Sequence, residues 1–358
     1  MKQTGVRGWL EMQDLIRGIL LLIVVVMVVS VSRNSRLNDP ERIVNLSGSV
    51  LFLEETVTLE ELARELNSLQ VKVDSAQLLW TGRMLGWRRF PAGRYEIPRV
   101  TDADTFLSKV ARGLQDPGDV TILPGITPER FASSVAAELR TDSASVRQIF
   151  EDDSEISRET GLTGMQLFAR MLPNTYRIYW TASAESLVRR ILSEFDAQVV
   201  RGLGGLLSES ELSLEEVVTM ASIVEWEARL REEKRTISGL YLNRLKRRMR
   251  LQADPTVIFA LGEKRRLLFR DYQIDHPYNT YRIYGLPPSG ITNPDLESIR
   301  AVLDPEEHEY LFMVATEEGS HAFSKTFREH QEKSRQWREF ISEQERIKRM
   351  RERAASQP

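Results

Sequence analysis

Ser213-Leu-Glu-Glu-Val-Val-Thr-Met-Ala-Ser-Ile-Val-Glu-Trp-Glu227 decides how the larger part of this chain folds. Ser213 and Glu216 have the Ser-x-x-Glu spacing of a capping box, in which each side chain takes a free backbone N–H of the first turn. A helix therefore starts at Leu214. Apolar residues recur at Leu214, Val217, Val218, Ala221 and Val224, three and four apart, which is one helical face. Glu225 continues that stripe. A carboxyl on the buried side loses hydration, so its charged form is disfavoured and its pKa rises. A general acid needs that property near neutral pH. Glu227 is the alternative acid. The two lie about 200° apart around the axis, so they cannot flank one bond, and the stripe favours Glu225. A surface position is the ordinary explanation for either, since Glu215, Glu216, Glu232 and Glu233 crowd the same stretch.

Downstream, Ile237, Leu240, Tyr241 and Leu245 give a second helical stripe over 234–248. Leu251 to Thr256 reads as an extended segment stopped by Pro255. Two long loops follow, 276–281 and 285–293, dense in Asn, Thr, Tyr, Gly and Pro. Loops of this kind on a rigid scaffold commonly carry binding. Gln252, Asn279, Thr280, Ser289 and Asn293 offer neutral donors and acceptors beside Tyr278, Tyr281 and Tyr284. That mixture suits sugar, whose hydroxyls take the hydrogen bonds and whose apolar ring face takes the aromatics. The same residue types also build turns. Asn293-Pro294 caps a further helix, 310–316 reads as a strand with 321–323 as its hairpin partner, and a charged helix starts at Phe327.

Upstream, Gly18 to Ser32 carries no charge and lies between Arg17 and Arg33. A full membrane span takes about 20 apolar residues; Leu15, Ile16 and a snorkelling Arg17 extend this one. It reads as a single anchor, N-terminus inside, with everything after Arg33 exported. Residues 33–42 are a polar linker. Residues 43–115 read as a small α/β module: a strand over 43–53, a capping box at Thr58 and Glu61, a short helix from Asp74 through Trp80, a strand over 94–97 and a helix capped by Thr101. Thr127-Pro128 starts another helix. Residues 141–160, acidic and rich in serine, read as linker, and Ser183 opens a long helix to about Gly202, where 202–205 forms a hinge.

The chain has 358 residues, enough for two or three modest domains, and a formal net charge of −3. Acids and bases nearly balance, so there is no nucleic-acid footprint. Cysteine is absent, which excludes disulfides, thiol catalysis and zinc–thiolate sites. The four histidines are scattered and none has a metal-ligand spacing, so no metal and no cofactor is expected.

Hydrolysis of a glycosidic bond by water usually takes two carboxylates, and Asp254 could be the second. A single acid suffices where the substrate supplies its own nucleophile. In murein, the muramic-acid hydroxymethyl group can attack its own anomeric carbon while one glutamate protonates the leaving oxygen and then takes the hydroxyl proton.

The chain resembles the MltG-type (YceG-like) endolytic murein transglycosylases from the membrane segment to about Gln331. The resemblance is carried by Ala221 to Ala228 (ASIVEWEA), Leu242 to Leu245 (LNRL), Leu251 to Gly262 (LQADPTVIFALG), Pro277 to Pro294 (PYNTYRIYGLPPSGITNP) and His321 to His330 (HAFSKTFREH). The N-terminal module, with Phe90 to Tyr95, is similar to the family's LysM-like domain. The resemblance implies an α+β architecture: cytoplasmic N-terminus 1–14, transmembrane helix 15–32, linker 33–42, LysM-like module 43–117, YceG-like catalytic domain 118–331 and charged tail 332–358. It implies an inner-membrane protein whose periplasmic part cuts peptidoglycan strands internally and leaves an anhydro-muramyl end, with peptidoglycan synthases as expected partners. By motif match Glu225 takes the catalytic position. Asn243, Gln252, Asp254, Tyr278, Asn279, Thr280 and Tyr281 take groove positions, with Gly285, Leu286, Pro287, Pro288, Gly290 and Asn293. Two departures stand out: Pro124 and Asn174 occupy positions where the family usually has an acid.

Overall fold

A computed structural model describes residues 4–37, 39 and 43–355. Mixed helix and strand are distributed over two compact units, 1–118 with 179–181, and 119–178 with 182–358.

The first unit begins with the helix Thr4–Leu37; Met1 to Gln3, part of the expected cytoplasmic segment, lie outside the described residues. Within it Leu15–Leu37 holds an apolar window of mean hydropathy 2.7, none of it buried. At 1.5 Å per residue Leu15–Leu37 is about 35 Å long, enough for a bilayer core. The helix runs past Ser32, so Arg33 to Leu37 are helical and not linker. Nothing before Pro40 breaks a helix there. Residues 38 and 40–42 of the expected linker lie outside the described residues.

Past this helix, the strand expected over 43–53 is two pieces, because Gly48 turns the backbone at φ +71°. Ile43–Val44 pairs antiparallel with both Lys72–Val73 and Val100–Thr101, and Val50–Leu53 pairs antiparallel with Gly93–Glu96. Thr58 and Glu61 form the capping box of Leu59–Ser68. The helix after Asp74 runs beyond Trp80 to Leu85, and Asp102 rather than Thr101 caps Ala103–Ala111, its carboxylate accepting from the Thr105 amide. Leu51, Leu62, Leu66, Phe90, Tyr95 and Phe106 form this unit's core.

In the second unit, strands Gly118–Ile122 and Asn174–Ile178 pair. Thr127 caps the helix Pro128–Glu138. Residues 141–160 are not linker. Asp142 and Ser154 cap two short helices, Ser143–Gln148 and Glu155–Thr160, that bury Val146, Ile149 and Ile156. The helix Ala184–Phe195 loosens into a π-helical turn over Asp196–Arg201. The expected hinge leads at once into the short helix Gly204–Glu209.

Helix Leu214–Glu227, with the Ser213–Glu216 capping box in place, runs through the middle of this unit. All of Val217 to Val224 are buried on it. It packs against Lys234–Lys246, Asp254–Leu261 and Leu296–Leu303. Asp254 opens a helix instead of ending an extended segment, because Pro255 sits in its first turn, where a missing N–H costs nothing. The hairpin Phe312–Ala315 with His321–Ser324 and the helix Phe327–Ala355 complete the unit.

Candidate active-site cleft

The helix Leu214–Glu227 ends at Ala228, so its last turn carries both candidate carboxylates. They are treated in opposite ways. Glu225 Oε2 accepts from Ser298 Oγ at 2.7 Å, from the Asp295 amide at 3.1 Å and from Lys234 Nζ at 3.1 Å. Lys234 Nζ also lies 2.8 Å from Asp295 Oδ2. Lys234 and Glu225 side chains are only 9% and 10% exposed. One ammonium is thus shared by two carboxylates in a closed cluster. Burial raises the Asp295 carboxyl, but the bonds from Lys234 and the Ser298 amide outweigh it, and its pKa ends below the ordinary value.

Glu227 faces a cleft instead. Burial raises its pKa, the nearby Asp254 carboxylate raises it further, and Tyr241 and Arg244 oppose both; the outcome is about 7. Its Oε2 is buried without a hydrogen-bond partner of ordinary geometry among the described residues, and so is the Tyr241 hydroxyl. The stripe does bury Glu225, as expected, but it is Glu227 that lines the cavities. A helix buried all round has no single core face, so continuing the stripe does not pick out the acid that meets a ligand.

Two adjoining cavities, of about 470 and 350 Å³, share Glu227, Asp254, Ala315 and His321. Tyr241, Arg244, Gln252 and Tyr281 line the larger. Asp254 is exposed in the cleft and accepts from Tyr281 at 2.6 Å and from Tyr272 at 3.4 Å. Burial and that carboxylate push both phenols up, Tyr272 to about 12. Gln252 projects from a left-handed backbone at φ +51°. Arg244 is 7% exposed and has no carboxylate ion-pair partner among the described residues. Its guanidinium donates to the carbonyls of Leu311 and Leu251, both at 2.6 Å, and lies over the Phe312 ring at 5.4 Å. His321 is held by Glu233, which accepts from its backbone amide at 2.6 Å and meets its Nδ1 at 2.9 Å.

Of the expected groove residues, Gln252, Asp254 and Tyr281 line the cleft. The others line neither cavity. Asn243 donates to the carbonyls of His308 and Tyr310. Asn279 binds the carbonyls of Tyr272 and Ile274, and Thr280 accepts from the Ala253 amide and meets the Thr256 hydroxyl at 2.8 Å. The Tyr278 hydroxyl meets Ser289. Gly290 allows the chain within van der Waals reach of Ala169, where a Cβ would come to 2.7 Å. Gly285, at φ +82°, turns the loop beside Tyr284, and Leu286, Pro287 and Pro288 carry it back to the core. Asn293 is wholly buried: it accepts from the Ile126 amide and donates to the carbonyls of Leu123 and Met171. These side chains shape the loops from inside. The two departures are local. Pro124 sits in a turn, and Asn174 accepts from the Thr175 amide at 2.8 Å.

Asn293→Ala deletes three buried hydrogen bonds and leaves backbone groups unpaired. The expected loss is about 3 kcal/mol, read as a lower urea midpoint with an unchanged slope. An unchanged midpoint would remove the strut role.

Tyr241, Arg244, His321, Trp226 and Trp337 are among the cleft residues that sequence reading missed. Arg244 carried one signal, a cation amid the leucines of the 234–248 stripe.

Comparison with known proteins places these features in a family context. A family model described as the YceG-like family matches residues 51–336. The endolytic murein transglycosylase of Bacillus subtilis (strain 168) is 29% identical over 257 residues, covering 67% of this chain and 71% of that protein. Its namesake from Streptococcus pneumoniae serotype 2 is 27% identical over 256 residues, 63% of this chain and 46% of the longer relative. A crystal structure of a yceG-like protein from Listeria monocytogenes matches with a TM-score of 0.57 and 28% identity, covering 79% of this chain and 98% of that one.

Proposed function

Because the chain belongs to the YceG-like family, we propose that it is a lytic transglycosylase that cuts peptidoglycan between N-acetylmuramic acid and N-acetylglucosamine within the strand. The name shared by its curated relatives supports the substrate. The observation that carries the chemistry is Glu227, a carboxyl in the cleft with its pKa pushed up to about 7 by burial and by Asp254.

In this reading Glu227, and not Glu225, is the acid. Protonated Glu227 gives its proton to the glycosidic oxygen as the bond to muramyl C1 breaks. The muramyl 6-hydroxyl attacks C1 and its proton passes to the Glu227 carboxylate. The new C1–O6 bond closes a 1,6-anhydro ring, and the acid is restored without consuming water. Asp254, positioned by two tyrosine hydroxyls, stabilises the positive charge that grows at C1.

A second reading is hydrolysis, with Asp254 activating a water; Asp254 supports it by lining the same cavities as Glu227. Mass spectrometry of digested strands separates the two. Internal fragments ending in anhydro-muramic acid are expected; reducing muramic ends would assign the chain to hydrolysis.

The acid must start each turnover protonated. The rate at subsaturating substrate is therefore expected to fall about tenfold per pH unit once pH rises past about 7, set by Glu227. A profile flat from pH 6 to 9 would remove Glu227 from the proton transfer.

The finer parts of the proposal concern place and partners. Leu15–Leu37, long and apolar enough to cross a membrane, is the single inner-membrane anchor, with the catalytic unit in the periplasm. The first unit acts as a LysM-like module over 43–117, and the catalytic domain spans 118–331. The substrate is the nascent strand near peptidoglycan synthases, and internal cleavage terminates strand growth during wall assembly.

A further inference from the structure

The smaller cavity beside Glu227 differs in kind from the larger one. Trp226, Trp337, Pro255 and Ile258 wall it, with Arg229 at its margin. Trp226 is fixed in place: its indole N–H donates to the Gly125 carbonyl at 2.9 Å. Gly125 has φ +66°, and a Cβ there would come within 3.3 Å of the indole. Another part of the wall, Trp337, comes from the charged helix Phe327–Ala355. Phe327, His330, Ser334 and Trp337 follow at three- and four-residue steps and so share one face. Phe327 and His330 line the larger cavity and Trp337 the smaller, so this face runs along the cleft past the acid. From Phe327 to Trp337 is about 15 Å of helix axis, longer than one sugar ring. His330 stacks on Phe312 at 5.3 Å and Trp337 on Phe340 at 5.5 Å, which limits the freedom of both. The family match ends at residue 336, one position before Trp337.

We propose that Trp226 and Trp337 form a two-walled aromatic subsite for the apolar face of a hexopyranose, one step along the glycan from the bond held at Glu227. The assignment rests on reading the chain as a glycan-cleaving enzyme, and its support is continuity: both cavities share the acid and Asp254. Two large rings offer wide contact area at small entropic cost, and one of them is already fixed before a ligand arrives. The C-terminal helix is then a wall of the cleft and a determinant of how much strand is gripped.

Equilibrium binding of purified glycan strands of increasing length to the full chain tests this. It is measured on Glu227→Gln so that turnover cannot intervene, with cleavage by the unsubstituted protein followed in parallel. Adding Trp337→Ala is expected to weaken binding of long strands about tenfold, a single aromatic contact's worth. Binding of the shortest fragments should change little, and Trp337→Phe should restore most of the loss. Equal affinities with and without Trp337, at every length, would overturn the subsite while leaving the reaction intact. Binding that depends on Trp337 without any cleavage by the unsubstituted protein would overturn the reaction and keep the subsite. Absence of strand binding at all lengths would overturn both.

Discussion

Glu227→Gln is expected to lower murein cleavage on the order of a thousandfold, the scale of a lost general acid, and to make the protein more stable at pH 8. The two halves have one origin. Glu227 has a raised pKa of about 7, against an ordinary 4.5. Between those values the folded chain binds more protons than the unfolded one, so stability falls as pH rises through that window. Well above pH 7 the full cost of the buried charge is in place, on the order of 3 kcal/mol. Glutamine cannot ionise and escapes that cost. Thermal denaturation at pH 8 and pH 4.5 reads the difference: a higher melting temperature for the variant at pH 8, shrinking toward none at pH 4.5. Activity lost together with stability at pH 8 would make Glu227 a structural residue and return the acid to Glu225.

Lys234→Met should produce the largest loss of stability. Lys234 is the only cation hydrogen-bonded to Glu225 and Asp295 among the described residues. Without it the buried Glu225 carboxylate and the half-buried Asp295 carboxylate face each other across the same space. Breaking a buried pair from one side costs about 3–5 kcal/mol. Acid should relieve part of that, because the Asp295 carboxyl can then take a proton. Urea titrations at pH 5 and 7.5 measure it, and Lys234→Met with Glu225→Gln should recover a portion. A Lys234→Met midpoint equal to the unsubstituted one would show that the cluster holds nothing together.

Several helix starts were readable because their signals are local, though Asp102 caps where Thr101 was expected and Asp295 where Asn293 was. Thr58 with Glu61 and Ser213 with Glu216 each place both halves of a capping box within four residues. Thr127 before Pro128 is equally short-range. The role of a polar side chain is not local. Asn293 looks like a sugar-binding amide in sequence, yet its partners Leu123, Ile126 and Met171 come from distant segments. Asn279 and Thr280 have closer partners, but in a loop whose path no periodicity specifies. The two acids illustrate the same limit. Helical spacing correctly set Glu225 and Glu227 on different sides of the helix. Which side opens to a cleft depends on Lys234, Asp295 and Ser298, and these carry no sign of the pairing. Residues 141–160 failed for a simpler reason. Three buried apolar residues, Val146, Ile149 and Ile156, are enough to dock two short helices, and so few disappear among acids and serines.

The cleft draws its walls from residues as far apart as Trp226 and Trp337, and Arg244 joins the loop before Asp254 to Leu311. Those pairings close loops of tens of residues, which puts them late in folding. Synthesis proceeds from the N-terminus, so the apolar helix Leu15–Leu37 exists long before the last wall of the cleft does. A chain still emerging from its ribosome would hold Glu227 with neither His321 nor Trp337 beside it. The cleft is complete only once synthesis has passed Trp337, so the acid is made well before its surroundings are.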